Sequence, residues 1–429
     1  METIKFEQLQ EELYHEKMPN GLEVYILPKK GFNKSFATFT TKYGSVDNHF
    51  KSLDRQELVK VPDGIAHFLE HKLFEKEDGD VFQQFSRQGA SANAFTSFTR
   101  TAYLFSSTTD FHKNLAILID FVQEPYFSEK TVEKEKGIIG QEINMYDDNP
   151  EWRLYFGTIA NMYKNHPVKI DIAGTVESIA DITKDMLYEC YNTFYHPSNM
   201  MLFIIGPEDP NEIMNMVRAN QAAKNFVNQP EVEREFEAEP NQVAKKSDIL
   251  RMSVQTPKVM VGIKAADVHI SGRELLKKEL AANIFLEMLF GRSSALHESL
   301  YGSGLIDSSF SFDYTQEHGF GFALIGGDSP EPERLMEKLH EILHQSKTGK
   351  GLDQQGFERT VKKKIGSFLR SMNSPEYIAN QFTRYAFNDM DLFEVVPELE
   401  KLTLKDIHET AGELIRDEAI TVCQVLPKN

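Results

Sequence analysis

At 429 residues the chain is too long for one compact core and calls for two or three domains. A formal net charge of −18 argues against binding nucleic acid, which needs clustered positive charge to neutralise phosphates. Hydrophobic content of 41% beside 26% charged residues is that of an ordinary globular chain, and no run approaches the roughly 18 apolar residues of a membrane span.

The opening "METIKFEQLQEELYHEKMPNG" is too acidic for a signal or transit peptide, so the chain is expected to stay in the cytoplasm. The first segment with chemical content is "GIAHFLEHKLFEK", residues 64–76. Ile65, Phe68, Leu69, Leu73 and Phe74 recur at three- and four-residue spacing, which predicts a helix starting after Pro62, Asp63 and Gly64. On such a helix His67 and His71 lie one turn apart on one face and can turn both imidazoles toward a single ion, with Glu70 beside them. Zinc accepts two neutral imidazoles and one anionic ligand while keeping a fourth position for water, and an adjacent carboxylate that is not a ligand can take that water's proton. H-x-x-E-H is the zinc-protease H-E-x-x-H pattern inverted. The competing reading is an amphipathic helix whose histidines are merely buried or solvated, since a chain with 13 histidines generates short coincidences.

Next, "ASANAFTSFTRTAYLFSS" (90–107) alternates large residues as strands do, and "DFHKNLAILIDFVQEPYF" (110–127) is an amphipathic helix. A further helix is predicted from about Glu129 in "EKTVEKEKGIIGQEINMY", with Val132, Ile138, Ile139, Ile143 and Met145 directed at a core. Glu135 and Glu142, two turns apart, share one face of it. Glu142, in the more apolar end, is the candidate third ligand. Glu135 is the candidate for a carboxylate behind the ligands that orients one of them or assists proton transfer.

From 228 to 247, "NQPEVEREFEAEPNQVAKKS" loses its periodicity and predicts a linker between a domain over 1–227 and a second over 248–429. The two halves resemble each other. "HFLEHKLF" is answered by "IFLEMLF" (284–290), so that His67 matches Ile284 and His71 matches Met288. The strands of "DSSFSFDYTQEHGFGFALIGG" and the helix "PEPERLMEKLHEILHQ" follow in the same order, and "TVKKKIGSFLRSMNSPEYI" answers "TVEKEKGIIGQEINMYDDNPEW" with Ser367 at the place of Glu142. The second half keeps the apolar helix pattern and loses both histidines. The fold therefore does not require them, which favours a chemical role for the pair. Cys190 and Cys423 stand far apart without metal-ligand spacing, so neither a disulfide framework nor a cysteine zinc site is expected.

With "NGLEVYILP" at 20–28, "HFLEH" at 67–71, "GASANAFTSFT" at 89–99, "EKEKGIIGQEI" at 133–143, "NHPVKIDIAGTVESIADIT" at 165–183 and "YHPSNMMLFIIG" at 195–206, nearly the whole chain resembles one family. It is similar to the pitrilysin (insulinase) family of inverted zinc peptidases, in the branch of the mitochondrial processing peptidase and its bacterial relatives. The resemblance implies His67, His71 and Glu142 as ligands of one Zn2+ per chain, Glu70 as general base and Glu135 as the carboxylate behind the ligands. It implies an α+β fold of two similar domains, each an antiparallel sheet covered by helices, forming half of a clamshell chamber that another such pair closes. It also implies that a peptide substrate adds as a strand along "SANAFTSF", against Asn93, Ala94 and Phe95. Small residues at Ala92 and Ala94 would admit another backbone while Phe95 and Phe98 pack.

One stretch departs from the family. Bacterial relatives that are their own partners carry, in the second half, an arginine after S-S-R-L and a tyrosine after G-L that hold the substrate carbonyl and the developing oxyanion. Here the stretch is "GRSSALHESLYGSGLIDSSF", with Tyr301 in the arginine's place and Asp307 in the tyrosine's. An ionised aspartate donates no hydrogen bond; Arg292 and Tyr314 are the candidates to substitute. The resemblance thus implies a zinc endopeptidase for extended peptides, working as the zinc subunit of a heterodimer whose related subunit supplies the arginine and tyrosine, while a homodimer could form in isolation. Two other readings compete: a non-catalytic scaffold subunit, and a metallohydrolase for small molecules.

Overall fold

The computed structural model describes residues 1–53, 57–77 and 79–428. Two compact α+β units account for them: unit 1 is Met1–Ile143, Ile170–Phe236 and Met372–Arg384, and unit 2 is Asn144–Lys169, Glu237–Ser371 and Tyr385–Asn429. Neither is one continuous stretch, so the units do not coincide with the expected boundaries at 227 and 248. Periodicity reveals that a helix buries a face but not which sheet it covers. The helix Pro150–Met162, for example, lies in sequence before the expected linker yet packs on strands of unit 2.

The strands of unit 1 are β1 (Glu2–Phe6), β2 (Glu11–Lys17), β3 (Glu23–Pro28), β4 (Ser35–Thr41), two short hairpins β5 (His49–Lys51) with β6 (Leu58–Lys60) and β7 (Glu75–Lys76) with β8 (Gly79–Asp80), then β9 (Ser91–Thr96), β10 (Thr101–Ser107) and β11 (Met200–Gly206). Its seven-stranded sheet runs β1-β2-β3-β11-β4-β10-β9. Unit 2 has β12 (Ser247–Met252), β13 (Lys258–Lys264), β14 (Ser311–Glu317), β15 (Phe320–Asp328) and β16 (Ile420–Pro427), in the order β12-β16-β13-β15-β14. Without the β1–β2 hairpin the two orders are identical: first, last, second, fourth, third. The sequence repeat is therefore a repeat of topology. Each sheet is antiparallel apart from one pair, β3 with β11 and β12 with β16, where the last strand returns beside the first in the same direction. Long connections containing helices make that parallel return feasible.

Burial follows position in the sheet. Both β4, rich in threonine, and the apolar run of β11 are buried throughout, as central strands covered on both faces must be. At the end of the order, β9 pairs among the described residues with β10 alone and is exposed to half-buried along its length. Both cysteines are buried, and burial pushes the Cys190 thiol up to about 12 and the Cys423 thiol up to about 11, so neither supplies a thiolate at neutral pH. No helix among the described residues is long and apolar enough to cross a membrane.

The stretch 228–246 carries no helix or strand and is fastened along its length. In unit 1 the Arg234 guanidinium pairs with buried Asp47 at 2.6 Å, and the backbone amides of Lys51 and Glu235 donate to Glu233 and His49 carbonyls. In unit 2 the Glu239 carboxylate accepts from the amides of Lys164, Asn165 and His166 and pairs with Lys264 at 2.5 Å.

His166 gives unit 2 a pH dependence. Burial pushes its imidazole down to about 4, with the Glu239 charge opposing. Between pH 6.5 and 4 the unfolded chain binds a proton that the folded one does not. This residue's contribution is therefore complete above about pH 6.5 and is lost as the pH falls, by on the order of 3 kcal/mol. His166→Asn, which keeps an acceptor for the Val168 amide, should flatten that loss. Denaturant unfolding at pH 7 and 4.5, followed by fluorescence of the single tryptophan, Trp152 in unit 2, checks it; equal losses in both proteins would contradict the assignment.

Candidate metal centre

The helix that carries both histidines, Ile65–Leu73, begins at a backbone position only glycine fills well. Gly64 has φ +88°, and a Cβ there would meet the Ala173 carbonyl oxygen at 2.3 Å. Ser178 Oγ donates to the Asp63 carbonyl at 2.8 Å, so the "IAGT" segment docks against the helix start. From there Phe68, Leu69 and Leu73 are fully buried against β9, β10 and the helix Lys184–Phe194. Each contributes about 1.5–3 kcal/mol by burial, which fixes the rotation of the helix and hence the direction of its other face.

That other face presents His67 and His71, with ring centroids 4.6 Å apart. Opposite them runs the helix Glu129–Asp147. Val132, Ile139 and Ile143 bury it, whereas Ile138 and Met145 are 45% and 61% exposed, contrary to the expectation that they face a core. Their spacing explains the difference: at four before and three after Glu142, they share the face of that glutamate.

His67 Nε2 lies 3.9 Å from Glu142 Oε1 and His71 Nε2 lies 3.7 Å from Glu142 Oε2, and the three donor atoms are all within 4.8 Å of one another. These separations exceed a hydrogen bond. They are close to the edges of a tetrahedron with zinc-ligand lengths, about 3.4 Å. The Nδ1 of His67 is buried without a hydrogen-bond partner, so Nε2, which faces Glu142, is the open nitrogen of that ring. Two imidazoles and one carboxylate are also the donor set zinc prefers, so the residues fit the ion.

The two imidazoles differ in their hold on a proton. Burial, aided by the His71 charge, pushes the His67 imidazole down to about 4, so it is neutral and ready to ligate. Burial is the strongest single influence on the His71 imidazole and lowers it, but the Glu135 hydrogen bond together with the charges of Glu70, Glu135 and Glu142 raises it above its ordinary value. Glu135 Oε1 accepts from His71 Nδ1 at 3.1 Å, which leaves Nε2 facing Glu142 as the lone-pair nitrogen. Glu70 is buried, and burial raises its carboxyl above the usual range. Thr96 Oγ1 opposes that shift by donating to Glu70 Oε2 at 2.7 Å. Sequence reasoning passed over Thr96; the signal was its place in β9, two residues beyond Ala94 on the same strand face.

Asn93, Ala94 and Phe95 lie on the edge strand β9. The Ala94 amide is occupied by the Asn93 side-chain oxygen at 2.9 Å. Arg100 lies over the Phe95 ring, 5.6 Å from its centroid. In unit 2, Tyr301 is exposed, and Asp307 accepts from the amide and hydroxyl of Ser309, bonds that hold its carboxyl below the usual range and ionised. Tyr314 is buried and donates its hydroxyl to Gln316 Oε1 at 2.5 Å, so it is no free donor. Arg292 is exposed.

Comparison with known proteins accords with this geometry. The family description "Insulinase (Peptidase family M16)" matches residues 57–176, the span that holds all five histidine and glutamate candidates, and "Peptidase M16 inactive domain" matches 181–364. The chain belongs to this family, peptidase family M16. Among its relatives, the uncharacterized zinc protease YmfH of Bacillus subtilis (strain 168) is 64% identical over 429 residues, the full length of both chains. The crystal structure of an M16-like peptidase from Alicyclobacillus acidocaldarius is 40% identical, with TM-score 0.94 over 97% of this chain and 99% of that one. Pitrilysin shares the fold at 16% identity and TM-score 0.75; this chain is covered completely and spans 46% of pitrilysin.

If the three donors act together, His71→Ala or Glu142→Ala should reduce bound zinc from about one ion per chain to a small fraction after dialysis, measured by elemental analysis. Full retention in either variant would show that the ion is held elsewhere.

Proposed function

We propose that the protein is a zinc endopeptidase for extended peptides, with His67, His71 and Glu142 holding the ion. The observation that carries this reading is the convergence of those donors on one point beside a buried, hydrogen-bonded Glu70. When bound, zinc supplies Lewis-acid polarisation of the scissile carbonyl and acidifies water. Glu70, its carboxyl raised above the usual carboxylate range by burial, takes the proton of the attacking water and returns it to the leaving amine. Thr96 fixes the orientation of that carboxylate, and Glu135 keeps His71 in the tautomer a ligand needs.

Substrate would add to the free edge of β9. Asn93 must release the Ala94 amide for this to happen, so the edge is self-capped until a peptide displaces the side chain. Strand addition reads backbone, so many sequences should be cut provided they are unstructured; a folded protein should resist.

The oxyanion donors are the incomplete part. With Asp307 ionised and accepting, and Tyr314 already committed, the chain lacks the hydroxyl its relatives use. A missing donor of this kind costs about 3 kcal/mol of transition-state stabilisation. The reading is therefore that a related chain, without H-x-x-E-H but with the arginine and tyrosine, pairs with this one to form the working chamber. The half-length correspondence with pitrilysin supports a pairing of two such chains. A scaffold role is disfavoured by the intact donor set.

Glu70→Gln should keep its zinc while hydrolysis of an unstructured peptide falls on the order of 10³-fold. The wild-type chain alone should be slow and should gain on the order of 10²-fold with the related subunit. Undiminished hydrolysis by Glu70→Gln would rule out its role as base, and full activity of the pure chain would rule out the pairing.

A further inference from the structure

Lys72 follows His71 directly, yet its side chain is 0% exposed. It stands one turn from Phe68, on the core-facing stripe of the helix where an apolar residue is expected. In unit 2 the position matched to it by the repeat is Leu289, which is also 0% exposed. The fold thus accepts a leucine here, and burying an ammonium instead is costly unless it is paired.

Its partners are two carboxylates. Lys72 Nζ donates to Glu75 Oε2, and it lies 4.0 Å from Glu135 Oε2. The other oxygen of Glu135, Oε1, accepts from His71 Nδ1. Glu135 is accordingly held at both ends, by the histidine it orients and by a lysine from the same helix. We propose that Lys72 is a positioning residue for the metal centre. Its buried charge keeps Glu135 turned toward His71 Nδ1, so that His71 presents Nε2 to the ion and Glu135 stays out of the coordination position needed for water. This rests on the zinc reading above.

The reasoning is electrostatic and geometric. Glu135, two turns from Glu142 on the same helix face, touches the ligand His71 itself, so its other partners decide how it is turned. The hydrogen bond to His71 supplies direction. Lys72 supplies charge from inside the core, where screening by solvent and salt is weakest.

A cycle of four proteins tests this: wild type, Lys72→Met, Glu135→Gln and the double variant, each compared for zinc affinity by chelator competition, thermal stability of the metal-free form, and visible absorption of the cobalt(II) form. Loss of a group that orients a ligand lowers metal affinity about 10–100-fold. Glu135→Gln should show such a loss and Lys72→Met about 10-fold, with the double variant no weaker than Glu135→Gln alone, because the lysine acts through that glutamate. The cobalt spectrum of Lys72→Met should change toward higher coordination, and Glu135→Gln in the same background should reverse it. If Lys72→Met fails to fold, Lys72→Leu, the residue at the matched position in unit 2, takes its place. An unchanged zinc affinity and cobalt spectrum with a lowered melting temperature would overturn the proposal, as would independent, multiplicative losses in the double variant. A wild-type chain that binds no zinc would instead refute the metal reading itself.

Discussion

The hydrogen bond between His71 Nδ1 and Glu135 Oε1 is the contact on which the proposed metal centre depends. It joins the two helices that carry the donors at a hydrogen-bond distance, whereas the separations from both imidazoles to Glu142 are too long for hydrogen bonds. Ligand atoms of like preference are thus brought close by an interaction that none of them makes among themselves. That is how a site is prepared before its ion arrives, and the ordering cost is met by the packing of Phe68, Leu69 and Leu73 beneath it.

Unit 2 shows what the same scaffold does without the ion. Its sheet has the same strand order, and its helix Gly272–Phe290 places Ile284 and Met288 where unit 1 has histidines. The matched counterpart of Glu70 is Glu287, still a glutamate. There it pairs with Lys363 at 2.5 Å, from the helix Gln354–Ser371 that corresponds to the helix of Glu142. An ammonium joins the same two helices that the metal donors join in unit 1. On the reading proposed above, one fold is furnished two ways, with a cation fixed in the chain in one unit and a place for an exchangeable one in the other.

Much of this was legible in the sequence because it rests on short-range periodicity. Two histidines four apart on an apolar-striped helix can share only one face, and Glu135 and Glu142 seven apart must share another. The family resemblance, and an aligned half without histidines, gave those faces a purpose. What escaped was set by tertiary geometry. The parallel pairing of β3 with β11 depends on where a strand returns after long helical connections, and no local pattern reports it. The exposure of Ile138 and Met145 reflects the side of the helix left open at the centre. Thr96 and Lys72 were missed for the opposite reason: a strand threonine and a helix lysine are so ordinary in sequence that only their burial and partners distinguish them.

The most direct test of the account is the anomalous diffraction signal at the zinc absorption edge from crystals of the metal-loaded protein. The account predicts one peak per chain, bounded by His67 Nε2, His71 Nε2 and Glu142, with Glu135 still on His71 Nδ1 and Glu70 uncoordinated. A peak ligated by Glu70 or Glu135 in place of Glu142, or no peak between the two helices, would contradict it.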